Sequence, residues 1–358
     1  MRIATLSNAS VEHTRRWVEH FRARGHEVRL YSLEDGPPGL EARRLPRAPL
    51  PGLVRYPLAL PALRRELARY RPALVDAHYV PNYGLLGALS SFRPLSIAAW
   101  GSDLLLAAGR DPLQRARARF ALRRASLVLC DAANLAEAAR EAGARPETVR
   151  AIPWGVDRGR FRPAAAREPG LLVSARMHEP VYDLPTVIAG FARVLAAHPH
   201  ARAAFAGDGS LRASLERLAA ASLPAGRWRF TGRLDPEALA SLLARAEVAV
   251  SASRSDSTSQ SLLEAMAAGA IPVVTDIPGN REWVAPGDGA RLFAPGDAAG
   301  LAGAVDAVLR DPDWAAAARA RNAQRIASAG DWHANLARIE ALFECLAAGR
   351  PLPPEDRP

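Results

Sequence analysis

What most constrains this chain is a rhythm. Short, apolar, β-branched runs alternate with longer stretches of helical period from the first residues onward. RIATLS (2–7) reads as a strand and 13–24 as a helix ended by Gly25. EVRLYSL (27–33) and ALVDAHY (73–79) are further strands, the second following an Arg-rich helix near 59–70. PLSIAAW (94–100) and ASLVLCD (125–131) continue the series, with a helix between them. Such alternation predicts βαβ units, in which a parallel sheet is buried between two layers of helices. Around GVDRGRFRPAAAREPG (155–170) the rhythm stops and Arg, Pro and Gly gather, which reads as a linker. It then restarts with GLLVSAR (170–176), ARAAFAG (201–207), WRFTG (228–232), VAVSAS (248–253) and AIPVVTD (270–276), separated by helical stretches such as 184–197 and 210–221. Two successive doubly wound α/β domains are expected, over 1–165 and 166–334, and 358 residues suit two domains of ordinary size. Ligands bind outside the carboxyl ends of such strands, so the loops that follow strands should hold the chemistry.

Composition narrows the class. Two cysteines, Cys130 and Cys345, offer neither metal-ligand spacing nor a disulfide framework, which points to a reducing cytoplasm. MRIATLSNAS is not a signal peptide, and no apolar run reaches the ~18 residues needed to span a bilayer. All 47 Lys+Arg residues are Arg, so part of the net charge of +10 reflects coding bias. Its distribution says more: residues 1–165 carry 27 Arg against 15 acidic residues, and 166–358 carry 20 against 22. The first half is the one suited to an anionic partner, with nucleic acid and an anionic membrane as candidates. Arg64, Arg65, Arg69 and Arg71 on or beside one helix, and Arg115, Arg117, Arg119, Arg123 and Arg124 on another, are either solvated faces or a lipid-facing charge.

The most informative stretch is SRSDSTSQSLLEAMAAGAIPVVTD (253–276), just after the expected strand VAVSAS. Ser255 to Ser259 precede a helical pattern with Leu262, Leu263, Met266 and Ala267 on its apolar side. Backbone amides at a helix start, beside Ser and Thr hydroxyls, make an anion site suited to a diphosphate. Asp256 and Glu264 flank it. Carboxylates repel phosphate but accept charge-assisted bonds from paired hydroxyls. Phosphate between two polyols describes a nucleotide-sugar. Taken singly, Asp256 could be a loop cap and Glu264 an exposed helix residue.

The region resembles the family 4 glycosyltransferases of the GT-B fold, whose C-terminal hallmark is an E(x7)E loop-helix followed by EAMAxGxPVV and a GxxE turn. DSTSQSLLEAMAAGAIPVVTDIPGNREWV follows that pattern with Asp256 at the first Glu. The resemblance implies that Glu264 holds the ribose and Asp256 the donor sugar, with Ser257, Thr258 and Ser259 around sugar and phosphate. GLLVSARMHEPVYDLPTVIAGF is similar to GRLxxxKGxxxLIxAF, which places Arg176 on the donor diphosphate; no Lys stands in the nearby segment Pro180, Val181, Tyr182. FAGDGSLR follows the AGDGP turn at Gly207, and FTGRLDPEALASLLARAEVAV the base-binding segment near Gly232 and Arg233. AIPWGVDRGRF (151–161) resembles the IPNGVDxxxF hinge.

The N-terminal half matches more loosely. SNASVEHTRRWVEHFRARGHEV is similar to the first β–α unit without its Gly-rich turn, and AAWGSDLL to HGxD with Trp100 at the His position. The resemblance implies acceptor contacts at Asn8, His13, Trp100 and Gly101, and catalytic contacts at Asp103 and His78 beside Asp256 and Arg176. It further implies two Rossmann-like domains facing each other across a cleft, with the helix in 335–358 returning to the first domain ahead of a disordered tail, RPLPPEDRP. The expected activity is retaining transfer of a sugar from a nucleoside-diphosphate sugar to a glycan or lipid-linked acceptor, as in cell-surface polysaccharide or glycolipid synthesis. UDP-sugars are favoured, with GDP-mannose second. The implied setting is the cytoplasm, peripheral on the inner face of the membrane, with no cofactor, no metal and no nucleic acid. The alternatives are another GT-B activity, epimerase or phosphorylase, and a non-enzymatic, Arg-driven nucleic-acid or membrane binder.

Some patterns carry little. GDGSLR (207–212) lacks the third Gly of a dinucleotide fingerprint, DPD (311–313) reads as a helix cap, and no G-x-S-x-G elbow is present.

Overall fold

A computed structural model describes residues 1–47, 52–107 and 111–354. The chain forms two compact units: Met1–Ile152 with Leu336–Pro358, and Pro153–Asn335.

The first unit is built on β1 (Arg2–Leu6), β2 (Glu27–Ser32), β3 (Ala42–Arg44), β4 (Leu74–His78), β5 (Leu95–Ala98), β6 (Leu127–Cys130) and β7 (Val149–Ala151). They pair in the order β3-β2-β1-β4-β5-β6-β7, every pair parallel. The reversal between β1 and β4 is the switch point at which a doubly wound sheet opens a crevice at its strand ends. β3 and β7 are strands of this sheet that the apolar runs above do not include. β3 is an edge strand, Ala-Arg-Arg, with its side chains half-buried or exposed, so no apolar run announces it.

The second unit repeats the plan with β8 (Leu171–Ala175), β9 (Arg202–Ala206), β10 (Trp228–Gly232), β11 (Val248–Ser251), β12 (Ile271–Thr275), β13 (Ala285–Pro286) and β14 (Gly289–Phe293). The order is β10-β9-β8-β11-β12-β14-β13. Period-2 alternation shows directly in the packing. Leu172, Val248, Val250, Ile271 and Val273 enter one core, and Val173, Ala249 and Val274 enter the other. Sheets buried on both faces read as continuous apolar runs, which is why these strands were legible.

The stretch expected as a linker begins inside the second unit. Gly155, at φ +85, lies so close to Gly330 that a Cβ would stand 2.7 Å from its carbonyl oxygen. The Val156 amide donates to that same carbonyl at 2.7 Å, and Trp332 N–H to Val156 at 3.1 Å. The helix Trp332–Ala347 gives its residues from Leu336 on to the first unit, where Phe343 stacks on Phe21 at 5.4 Å. There Glu340 accepts from Arg24 at 3.0 Å and bonds His26 Nε2 at 2.7 Å. The last four residues of the expected tail lie outside the described residues.

Candidate functional site

In the second unit the strand-end loops converge on one arginine. The chain leaves β11 into a loop over 252–259 and enters the helix Gln260–Ala268, which closes on Gly269 in the left-handed region at φ +81. Several bonds set the loop. Thr275 Oγ1 donates to Ser253 O at 2.6 Å, and Trp283 Nε1 to Thr258 Oγ1 at 3.2 Å. Gly279 completes the support, because a Cβ there would stand 2.0 Å from Ser257 O and 2.5 Å from Asp256 O. The G-x-x-E turn is thus a shelf on which the Asp256–Ser257 backbone rests.

Arg176, one residue past β8, reaches this loop. Its Nη1 donates to Ser259 Oγ at 2.7 Å and Ser261 Oγ at 2.9 Å, and its Nη2 to Asp256 Oδ2 at 2.6 Å. The Tyr182 ring lies under the guanidinium, 4.1 Å from centroid to carbon. The Arg176 Nε–H is buried and has no hydrogen-bond partner. Ser257 and Ser259 are buried, and Glu264 is 9 % exposed, with Gln260 Nε2 donating to its Oε1 at 3.4 Å and to Gly155 O at 3.2 Å.

The glycines explain how backbone comes so near Arg176. Gly207, at φ +139, would carry a Cβ 2.2 Å from the Arg176 carbonyl, so only glycine fits that approach. Its amide donates to Gly232 O at 2.9 Å, which joins the ends of β9 and β10, and Arg233 follows as an exposed residue. His178 is fully buried beside this junction, edge-on to Phe230 at 5.4 Å, with both ring nitrogens unpartnered. Burial, aided by Arg212, lowers its pKa and keeps the ring neutral.

Pro180, Val181 and Tyr182 form a single 3-10 turn that ends on Asp183 at φ +45. Arg254 fastens to it from the loop after β11. Its amide donates to Val181 O at 2.9 Å, and its guanidinium bridges Asp183 Oδ2 at 2.8 and 3.1 Å. A cation therefore stands beside the segment that has no Lys.

In the first unit, four rings from the expected acceptor region and its neighbours form a row. His13 meets Trp100 at 5.7 Å, Trp100 meets His78 at 5.6 Å, and His78 meets Trp17 at 4.9 Å. Asp76, fully buried, accepts from both Trp17 Nε1 and His78 Nε2 at 2.9 Å. A carboxylate can only accept, so His78 carries its proton on Nε2. The signal for Asp76 was a carboxylate in the middle of an otherwise apolar strand. Tyr79 next leaves the strand at φ +70, an uncommon conformation for a bulky residue.

Asp103, expected to make catalytic contacts, ties two loops together. Fully buried, it accepts from Val80 N at 2.9 Å and Trp100 N at 3.0 Å, tying together the loops after β4 and β5. Burial, only partly offset by these bonds, raises its pKa to about 6. Gly101 turns that loop at φ +89. Asn8 Oδ1 accepts from Ser10 N and Oγ, so its side chain shapes the turn after β1.

The Arg clusters divide by burial. Arg117 is 7 % exposed and its pKa is lowered by burial, which removes it from any lipid-facing set. Arg124 lies over Phe120 at 4.0 Å, and Arg64 donates to Leu89 O at 2.8 Å. Arg65, Arg69, Arg71, Arg115, Arg119 and Arg123 are exposed. Asp311 of DPD accepts from Trp314 N at 2.9 Å, the bond of a helix cap. Among the described residues no helix is long and apolar enough to cross a membrane.

Comparison with known proteins follows the two units. The family model described as Glycosyltransferase Family 4 matches residues 10–160, and that described as Glycosyl transferases group 1 matches 157–326. Glycogen synthase of Mycobacterium tuberculosis is 37 % identical over 215 residues, 58 % of this chain and 51 % of that protein. Phosphatidyl-myo-inositol mannosyltransferase of Mycolicibacterium smegmatis is 30 % identical over 203 residues, 55 % of this chain and 52 % of that protein. These matches span about half the length of each relative. The Anabaena protein HepE, in a structure with UDP-glucose, superposes with a TM-score of 0.83 over 97 % of this chain and 100 % of that chain. At 19 % identity the likeness is one of fold.

Proposed function

We propose, for a chain that belongs to the family 4 and group 1 glycosyltransferases and has their GT-B-type fold, that it moves a sugar from a nucleoside-diphosphate sugar to a glycan or lipid-linked acceptor with retention. The observation that carries the reading is the convergence of Arg176, Asp256, Ser259 and Ser261 at the start of the helix that bears Glu264. A buried guanidinium at a helix N-terminus suits a diphosphate. A carboxylate one turn further along suits the ribose diol.

In this reading the bond between the sugar's anomeric carbon and the diphosphate oxygen breaks on the face where the acceptor oxygen bonds. The acceptor proton passes to the departing diphosphate. The protein's share is positioning and stabilising the charge that develops on the leaving group. Arg176 and the loop amides carry that charge. Arg254 supplies a second cation, in the place where the segment 180–182 offers no Lys. The region of Gly207, Gly232 and Arg233 receives the base. In the first unit the exposed His13 and the half-buried Trp100 are offered to an acceptor, backed by the buried His78, which Asp76 fixes.

UDP-sugars are the favoured donors, UDP-glucose being bound in the structure of the fold relative HepE, and GDP-mannose is second. The relatives' names span a polymer acceptor and a lipid one. The exposed arginines of the first unit fit an anionic membrane surface, which sedimentation with anionic vesicles tests. A thermal-shift screen with UDP-, GDP-, ADP- and dTDP-sugars should give stabilisation by one of them that Glu264→Ala abolishes. No stabilisation by any donor would count decisively against the reading. Binding followed by turnover without an acceptor would instead favour an epimerase.

A further inference from the structure

Asp256 has a role that its flanking position does not suggest. Its Oδ2 sits 2.6 Å from Arg176 Nη2, in a pair whose side chains are only 18 % and 8 % exposed. Arg176 Nη1 is engaged by the Ser259 and Ser261 hydroxyls, and the Tyr182 ring covers one face. The Arg176 Nε–H is buried without a hydrogen-bond partner among the described residues. The cation proposed for the diphosphate is thus already neutralised by a carboxylate of the same loop. A phosphate that takes the place of Asp256 on Nη2 displaces that carboxylate, which is then left beside a like charge.

Resting on the donor reading above, we infer that Asp256 is the internal counter-ion of Arg176 and makes the site discriminate a sugar-bearing nucleoside diphosphate from the bare one. A donor brings its own compensation, because the sugar hydroxyls can donate to the released carboxylate in charge-assisted bonds. A bare nucleoside diphosphate brings the phosphate charge without those hydroxyls. Once transfer removes the sugar, Asp256 has lost its new donors and faces only phosphate. It re-forms its bond to Arg176 and the leaving nucleotide is expelled. Ser261 is a positioning residue in this scheme, since its hydroxyl holds Nη1 and keeps Nη2 turned toward Asp256. No charge is created or lost in the exchange; one anion replaces another on the guanidinium.

The test is calorimetric titration of the full chain with UDP and UDP-glucose, and with GDP and GDP-mannose as a second pair. Wild type should bind the sugar-bearing member of the recognised pair more tightly. Asp256→Asn should tighten the bare diphosphate about tenfold, because the competing charge is gone, while the sugar nucleotide gains nothing. The preference then shrinks or inverts. Asp256→Glu keeps the charge and should keep the wild-type order, which separates the effect from damage to the loop. If Asp256→Asn weakens both ligands alike, or leaves the bare diphosphate unchanged, the inference fails while the donor reading stands. If neither wild type nor Asp256→Asn binds any of the four, both fail.

Discussion

At the scale of single residues, the site is shaped as much by what is missing as by what is present. Gly279 has no side chain, and that is what allows the carbonyls of Asp256 and Ser257 to lie against the turn. Gly279→Ala should force the shelf and the loop apart. It is expected to cost about 1–3 kcal/mol in urea unfolding, as over-packing generally does, and to weaken nucleotide binding more than Gly226→Ala does. Calorimetry on both variants checks this, since Gly226 faces open space and costs only through its φ of +76. The residue pattern singled out Asp256 and Glu264 as candidates, and the family resemblance added Arg176. Neither revealed their partnerships, because a bond between residues 80 positions apart depends on strand order rather than on local pattern. Nothing in the sequence pattern singled out Ser261, and nothing there paired Asp256 with Arg176.

At the scale of elements, strands buried on both faces announced themselves by apolar runs, and helices by period. The loops did not. Asp103 stands in a motif whose resemblance implies catalytic contacts, and the motif gave no sign that its carboxylate also joins the loops after β4 and β5. Its pKa, raised to about 6, makes this joint sensitive to pH. An aspartate in the unfolded chain titrates near 4, so the folded state holds the extra proton between about 4 and 6. The stabilising contribution is complete below the unfolded pKa and lost as pH rises through the folded one. Unfolding free energy of the wild type, relative to Asp103→Asn, should therefore fall between pH 4 and pH 6, by roughly 2–3 kcal/mol at most. A flat difference across that range would show that the carboxylate stays ionised in the fold.

At the scale of the whole molecule, the two units have separate cores and should lose structure separately. Phe343, fully buried, belongs to the first unit although it lies near the end of the sequence. Phe343→Ala should cost about 3–5 kcal/mol and should strip amide protection first from the helix Glu12–Ala23, which carries Phe21. Strand β8 should keep its protection, as hydrogen exchange can show. Sequence rhythm disclosed two α/β units, while the return of the last helix was expected only from the family resemblance, because a closing helix has the same period wherever it docks.

That last helix gives the chain an unusual order of assembly. The first unit is not finished until its final segment has been synthesised, whereas every residue of the second is available earlier. On the ribosome the second unit can mature while the first still lacks Phe343 and Glu340. Seen from the first unit, the second is one long loop whose ends are brought together by the contacts at Phe21, Arg24 and His26. Lengthening that loop costs little entropy, since closure grows only with the logarithm of its size. Insertions in surface turns of the second unit would therefore leave the closure of the first unit almost untouched.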